Sequence, residues 1–316
     1  MANEKITVDL PKSTSRIFAH TRWDVIPVIC GFLHLAFFLS LFYLFPRTPL
    51  WIMICLGLIY AVSISWNING IAHNFIHHPY FRSTVLNRLF SLLESLVCCF
   101  SQVHYDVVHT RHHKGNSDRK DENGETVDWL SIYRHGHDDE AENPWTYIFL
   151  GFFRDSPKSF GPELAKRGPK EVFWGRLEIA SVVGFLIVMG IFNWKCVVLF
   201  YLPCMYLGQC LSNLNGYYLH YGANPDKPIA WGVSSYAKLY NWTWFYNGYH
   251  AEHHFRPNVH WTKMVALHEV IKDAQEREGV RVITPPHALG FLDPTLPPLS
   301  GTRASSAVGE TAPGAA

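Results

Sequence analysis

Charged side chains are scarce: Asp, Glu, Lys and Arg make up 17% of the 316 residues, against roughly a quarter in soluble domains. The charges nearly cancel, leaving a formal net charge of +1, so no basic surface for nucleic acid is built. The seven cysteines lie in apolar segments without a Cys-x-x-Cys pair. That excludes a disulfide frame or an iron–sulfur site and predicts buried small hydrophobes in a reducing compartment. Met1 to Asp24 has mixed charge and lacks the basic-then-apolar pattern of a cleaved signal peptide. No internal repeat is present.

Aromatic residues, at 15%, and long apolar runs take the place of charge. Val25 to Phe45 carries no charge and is long enough to cross a hydrocarbon core of about 30 Å. Pro46, Arg47 and Pro49 make a turn, and Leu50 to Ala72 runs back, again uncharged. A second, shorter hairpin is expected from Ile179 to Trp194 and Cys196 to Leu214, with an interfacial turn at Asn193-Trp194-Lys195. The fold class is therefore all-α and integral to a membrane, with four transmembrane helices as two hairpins plus interfacial helices and a cytoplasmic histidine-rich cap. The domain is expected over 25–298, after a cytoplasmic segment 1–24 and before a tail at 299–316 whose Ser, Gly, Ala and Pro content predicts disorder. Two hairpins put both ends and the middle on one side. Arg47 and Lys195 are the only charges in the outer turns, so the positive-inside rule makes that common side cytoplasmic.

Between the hairpins, Leu86, Leu89, Phe90, Leu93, Leu96, Val97 and Phe100 recur at helical spacing, opposite Asn87, Ser91, Glu94 and Ser95. An interfacial helix or an ordinary packed amphipathic helix both answer to this pattern. Asp118 to Glu142 is acidic and is expected to be a solvated loop. Arg154 to Arg176 is net basic with interspersed Phe and Trp and suits a segment resting on headgroups.

Histidine gathers into three short clusters beside the apolar runs: His73-x3-His77, His109-x2-His112-His113 and His250-x2-His253-His254, with His78 adjoining the first. Clustered imidazoles with little thiolate or carboxylate point to a nitrogen-rich iron, copper or zinc site. The ligands are too many for one tetrahedral ion and enough for two. His73 and His77 share a helix face, but Asn74 stands where a zinc protease has its general-base Glu. In the other two clusters, the i, i+3 pair is expected to face one way and the adjacent His another, so one turn serves two ions. No His has a Glu three residues before it, which disfavours a carboxylate-rich di-iron site. Asn74, Asp106, Asp118 and Glu252 are candidates to accept the imidazoles' other N–H groups.

These clusters, with the wider strings His73-Asn-Phe-Ile-His77-His78 and Asn247-Gly-Tyr-His250-Ala-Glu-His253-His254-Phe-Arg-Pro257, resemble the histidine boxes of the integral-membrane fatty acid desaturase and hydroxylase superfamily. The resemblance covers Val25 to Trp261. It implies a non-haem centre of two iron ions that uses O2 to remove hydrogen from an unactivated C–H bond. It also implies a ligand from the end of the fourth span, where His220 stands. Some members have a longer first box, which would recruit His78 in place of His77, and some carry an Asn where this chain has Gly216. His104 is expected to be supporting rather than ligating.

The resemblance further implies an acyl lipid, acyl-CoA or acyl-carrier substrate and an outside source of electrons. No cytochrome b5 haem motif, rubredoxin-type Cys pairs or Gly-rich dinucleotide fingerprint is fused here. A separate donor of ferredoxin, rubredoxin or cytochrome b5 type is therefore expected, docking near Lys114, Arg119 and Lys120. The basic residues Lys158, Lys166, Arg167 and Lys170 are candidates to meet an acidic carrier or lipid phosphates. Desaturation of an acyl chain is the first reading. The alternative is a hydroxylase, ketolase or acetylenase of the same superfamily acting on a carotenoid, an alkane or a carrier-bound acyl chain. A metal transporter fits poorly, because only His34, Asn67, Asn69 and a few hydroxyls interrupt the first two spans. Trp66, Tyr105, Tyr217, Trp242, Trp244 and Tyr249 are candidates to line a substrate tunnel.

Overall fold

A computed structural model describes residues 15–154 and 157–297, so the tail at 299–316 and most of 1–24 lie outside the described residues. Every named element among the described residues is helical. Helix α1 (Val25–Leu44) follows a short turn in which Thr21 and Asp24 cap each other's backbone N–H groups. At its far end the Arg47 guanidinium donates to the Tyr43 carbonyl at 2.6 Å and lies over the Tyr43 ring. Helix α2 (Leu50–Asn67) passes through a single π-turn, Ile68–Ala72, into α3 (His73–His77). The extra residue in a π-turn shifts the facing of everything after it, and such turns cluster at functional sites. Here it re-aims the first histidine pair.

Helix α4 (Thr84–Cys98) and helix α5 (Gln102–Gly115) meet at 89°. Their serine N-caps, Ser83 and Ser101, accept backbone N–H groups, and Cys99 closes α4 in the left-handed region. Helix α4 buries Phe90, Leu93 and Val97 together with polar residues of its other face. Val85 and Leu89 are exposed, whereas Ser91, Glu94 and Ser95 are buried. Such a helix suits an apolar surround. Helices α6 (Pro144–Arg154) and α7 (Pro157–Lys166) lead to α8 (Pro169–Cys196), which begins with the basic, aromatic segment and exposes Phe173. Asn193 leaves helical geometry (φ −157°, ψ 80°), and a second π-turn, Val197–Tyr201, enters α9 (Leu202–His220). The break falls within Asn193-Trp194-Lys195, where the sequence reading expects a turn.

Three helical stretches, Arg22–Leu44, Leu50–His77 and Pro169–His220, are long and apolar enough to cross a membrane, and α4 with α5 would add a fourth if the bent pair counts as one span. Helices α2 and α9 pack closely. A Cβ at Gly208 would stand 2.7 Å from Ile64 Cβ, so only glycine allows this approach. Beyond α9 lie α10 (Lys238–Thr243), α11 (His250–Phe255) and α12 (Met264–Glu278); Met264, Leu267 and Ile271 of α12 are buried against the Tyr249 and Phe255 side chains. All seven cysteines are free, but Cys55 is exposed, contrary to the expectation of uniform burial. Its place on the apolar α2 face accounts for the exposure.

The α4–α5 corner is held from α8 by the fully buried Glu178. Its carboxylate accepts from the hydroxyls of Ser91 and Ser101, both at 2.6 Å, and from the Val103 N–H at 2.9 Å. Removing the carboxylate strands these donors away from water. Glu178→Ala should therefore lower stability by about 3 kcal/mol, read as a lower unfolding midpoint in detergent. An unchanged midpoint would remove Glu178 from this role.

Candidate metal centre

The nine histidines expected as ligands gather in two groups. His73 and His77 of α3, His109 and His113 of α5 and His253 of α11 form one, and His112, His220, His250 and His254 form the other. Within each group the candidate donor nitrogens lie within 4.8 Å of one another. The division within each box corrects the sequence expectation. His109 pairs with His113 and His250 with His254, while the intervening His112 and His253 turn to the other group. At 3.6 residues per turn, positions four apart are offset by about 40° and positions three apart by about 60°. The i, i+4 partners thus converge better, and the third histidine serves the neighbouring site.

The hydrogen bonds decide which nitrogen is bare. His220 Nδ1 lies 3.0 Å from the Trp231 carbonyl, which can only accept, so Nδ1 carries the proton. His112 Nδ1 faces the Asp128 carboxylate at 2.8 Å. His254 Nδ1 faces Asn116 Oδ1 at 2.5 Å, with the amide orientation fixed by Asn116 Nδ2 donating to the His113 carbonyl. Each neutral ring then turns an unprotonated Nε2 toward the others. His112 and His220 bring theirs to 3.1 Å, and His220 Nε2 also lies 3.0 Å from His250 Nε2. His254 Nε2 is buried without any partner. Two lone pairs cannot satisfy each other, and burial first, with the neighbouring imidazoles second, pushes His250 and His254 well below the ordinary histidine range. The donor set therefore fits a cation bound by neutral imidazoles. In the other group, His113 Nε2 lies 3.0 Å from both His109 Nε2 and His253 Nε2, the same convergence.

The supporting residues differ from those expected. Asp106 engages Arg167 at 2.5 Å and Thr110 at 3.2 Å, away from both groups. Asn74 donates to the Gly70 carbonyl, and Glu252 accepts from Ser234 and Tyr236 and meets His268, tying α11 to α12. Asp118 acts one layer out: it accepts the Val127 and Asp128 N–H groups and so shapes the loop that carries Asp128. His78 lies outside both groups, with Nε2 on the Asn258 carbonyl and its ring against His20 and His260. The π-turn and α3 direct His77 inward and His78 outward. His104 packs on Phe160, also clear of both groups.

Sequence reading missed Asp128 and Asn116. Asp128 is fully buried in what reads as a solvated acidic stretch. Burial raises its carboxyl, but the interaction and hydrogen bond with His112 outweigh this and hold it below the usual carboxylate range. Asn116 stands three residues beyond His113 in the left-handed position that ends α5, a spacing that offered a hint.

A cavity of about 400 Å³ reaches the His73, His109, His112, His220 and His250 side chains, and thus both groups. Phe100, Val108, Leu130, Phe152 and Ile179 supply much of its apolar wall. Of the aromatic residues expected to line a tunnel, Tyr105 does so. Tyr217 is instead buried in a tyrosine cluster and Trp242 is exposed.

Asp128→Ala and Asn116→Ala should each weaken metal retention about 10- to 100-fold, measured by chelator competition and elemental analysis of the purified protein. His78→Ala should leave the metal content unchanged. A loss of metal in His78→Ala would overturn the division made here.

No curated protein matches the chain. The family model described as fatty acid desaturase matches residues 49–286, well over half of the sequence and inclusive of all three histidine clusters. With this match and the paired histidine groups, the chain belongs to the fatty acid desaturase family.

Proposed function

We propose that this protein is an O2-dependent membrane desaturase that places a double bond in a fatty acyl chain through two iron ions. The observation that carries this reading is the cavity: its wall is largely apolar, no Asp, Glu, Lys or Arg among the described residues lines it, and it touches both histidine groups. An alkyl segment held there lies beside two cation sites at once. His73, His77, His109, His113 and His253 would hold one iron and His112, His220, His250 and His254 the other. When bound, the irons supply the reduction of O2 and the removal of hydrogen from an unactivated methylene. The residues of the chain do the rest. Asp128, Asn116 and the Trp231 carbonyl hold the rings in the ligating tautomer. The apolar wall excludes water and fixes the alkyl segment so that neighbouring carbons come to one place.

The break at Asn193 supports two hairpins, since Ile179 before it and Gln209 after it line the same cavity. The positive-inside rule then sets the histidines on the cytoplasmic side of an inner membrane or endoplasmic reticulum. Electrons would come from a separate ferredoxin, rubredoxin or cytochrome b5 type of donor. Of these docking residues, Arg119 is paired with Asp226, whereas Lys114 and Lys120 are both exposed, Lys120 also donating to the Gly136 carbonyl.

Cells expressing the protein with a ferredoxin system should contain an unsaturated acyl species that is missing when His112→Ala or His253→Ala is expressed, as read by gas chromatography–mass spectrometry with bond-locating derivatisation. Both variants should still insert in the membrane. Product formation equal to wild type in either variant would sink the histidine assignment, and a hydroxylated product would move the reaction to hydroxylation.

A further inference from the structure

An alkyl chain alone does not account for the carboxamides in the cavity wall. Asn69, Gln209 and Asn213 all line it. Each has its NH2 group turned away to a protein carbonyl: Asn69 to Ser65 at 2.8 Å, Gln209 to Cys98 at 3.2 Å and Asn213 to Ile148 at 3.2 Å. A carbonyl can only accept, so these bonds fix the amide orientations. The carbonyl oxygens of the three side chains are left over, and none accepts a hydrogen bond from a side chain or backbone N–H among the described residues. Gln209 and Asn213 are four apart on α9, with Gly216 and then His220 continuing along the same side of the helix, and all four border the cavity. At 1.5 Å per residue the two amides sit roughly 10 and 16 Å along the axis from His220. The wall also holds the Asn247 amide, whose NH2 group donates to Tyr240, the His104 ring, and the hydroxyls of Ser212 and Tyr105, which can donate or accept.

Acceptors fixed in a largely apolar cavity ask for a donor. A carbonyl or ether oxygen placed against them would face its own kind, and a bare methylene would leave them dry and unpaired. No fixed charge is present to hold an ionised group. The geometry points to a substrate that is an uncharged apolar chain carrying a hydroxyl, received by Gln209 and Asn213 roughly two to three helical turns along α9 from His220. This inference deepens the desaturase reading and rests on it for the chemistry, though not for the binding.

The test is equilibrium binding by the purified full-length protein in lipid nanodiscs. The radiolabelled probes are methyl stearate, a set of methyl monohydroxystearates with the hydroxyl at successive carbons, and the matching oxo esters. The best hydroxy ester is expected to bind about tenfold more tightly than its oxo counterpart and than methyl stearate. In the Gln209→Leu/Asn213→Leu double variant the three should fall within about twofold, with methyl stearate still bound, which also shows that the cavity is intact. An oxo ester bound as well as the hydroxy ester would overturn the inference, and so would a preference undiminished in the double variant. Lipid analysis separates this from the parent reading. Absence of any new double bond with the hydroxyl preference intact would sink desaturation alone, whereas desaturation of plain chains without the preference would sink the inference alone.

Discussion

Nine imidazoles packed into two groups set the terms for the rest of the structure. Rings held by Asp128, Asn116 and the Trp231 carbonyl turn lone pairs toward one another at about hydrogen-bond distance, an arrangement that is repulsive without a cation between them. Burial removes the easier escape, protonation, because a charged imidazole away from water is costly. The scaffold must therefore hold these rings in place against their mutual preference. Fixing them takes anchoring from several directions, and the polar interior supplies it. Glu178 fixes the corner where α5 begins, and Glu252 fixes α11 to α12.

That requirement explains features that look anomalous in isolation. Helix α4 buries its serines and a glutamate while exposing Val85 and Leu89. With hydrocarbon outside, exposed apolar side chains carry no penalty, and the two serines find partners inside, Ser91 on Glu178 and Ser95 on the Ser91 carbonyl. The π-turn before α3 and the glycine contact between α2 and α9 both trade local regularity for placement. One aims His73 and His77, and the other draws together the two helices whose ends carry His73 and His220.

The sequence made the coarse frame legible because its signals are local and repeated. Uncharged runs of span length, the turn at Asn193 and three histidine clusters need no tertiary contact to be recognised. The finer assignments depended on facing, which spacing alone resolves poorly. His109 pairs with His113 rather than His112 because of an angular difference of about 20°. His77 and His78 differ only in which side of one short helix they leave. Asp128 was hidden for another reason. It reaches His112 from a loop, and loop residues carry no periodicity to announce a partner sixteen positions earlier. Asp106 and Glu252, closer to the histidines in sequence, spend their carboxylates on Arg167 and on the α11–α12 contact.

The second histidine group draws on α5, α9 and α11, segments that enter the chain far apart. A cation bound there would act as a clasp between the first third of the sequence and the last. In an unfolded chain those segments wander independently, and closing such large loops is entropically unfavourable. Metal uptake and the final docking of α11 would then be one event.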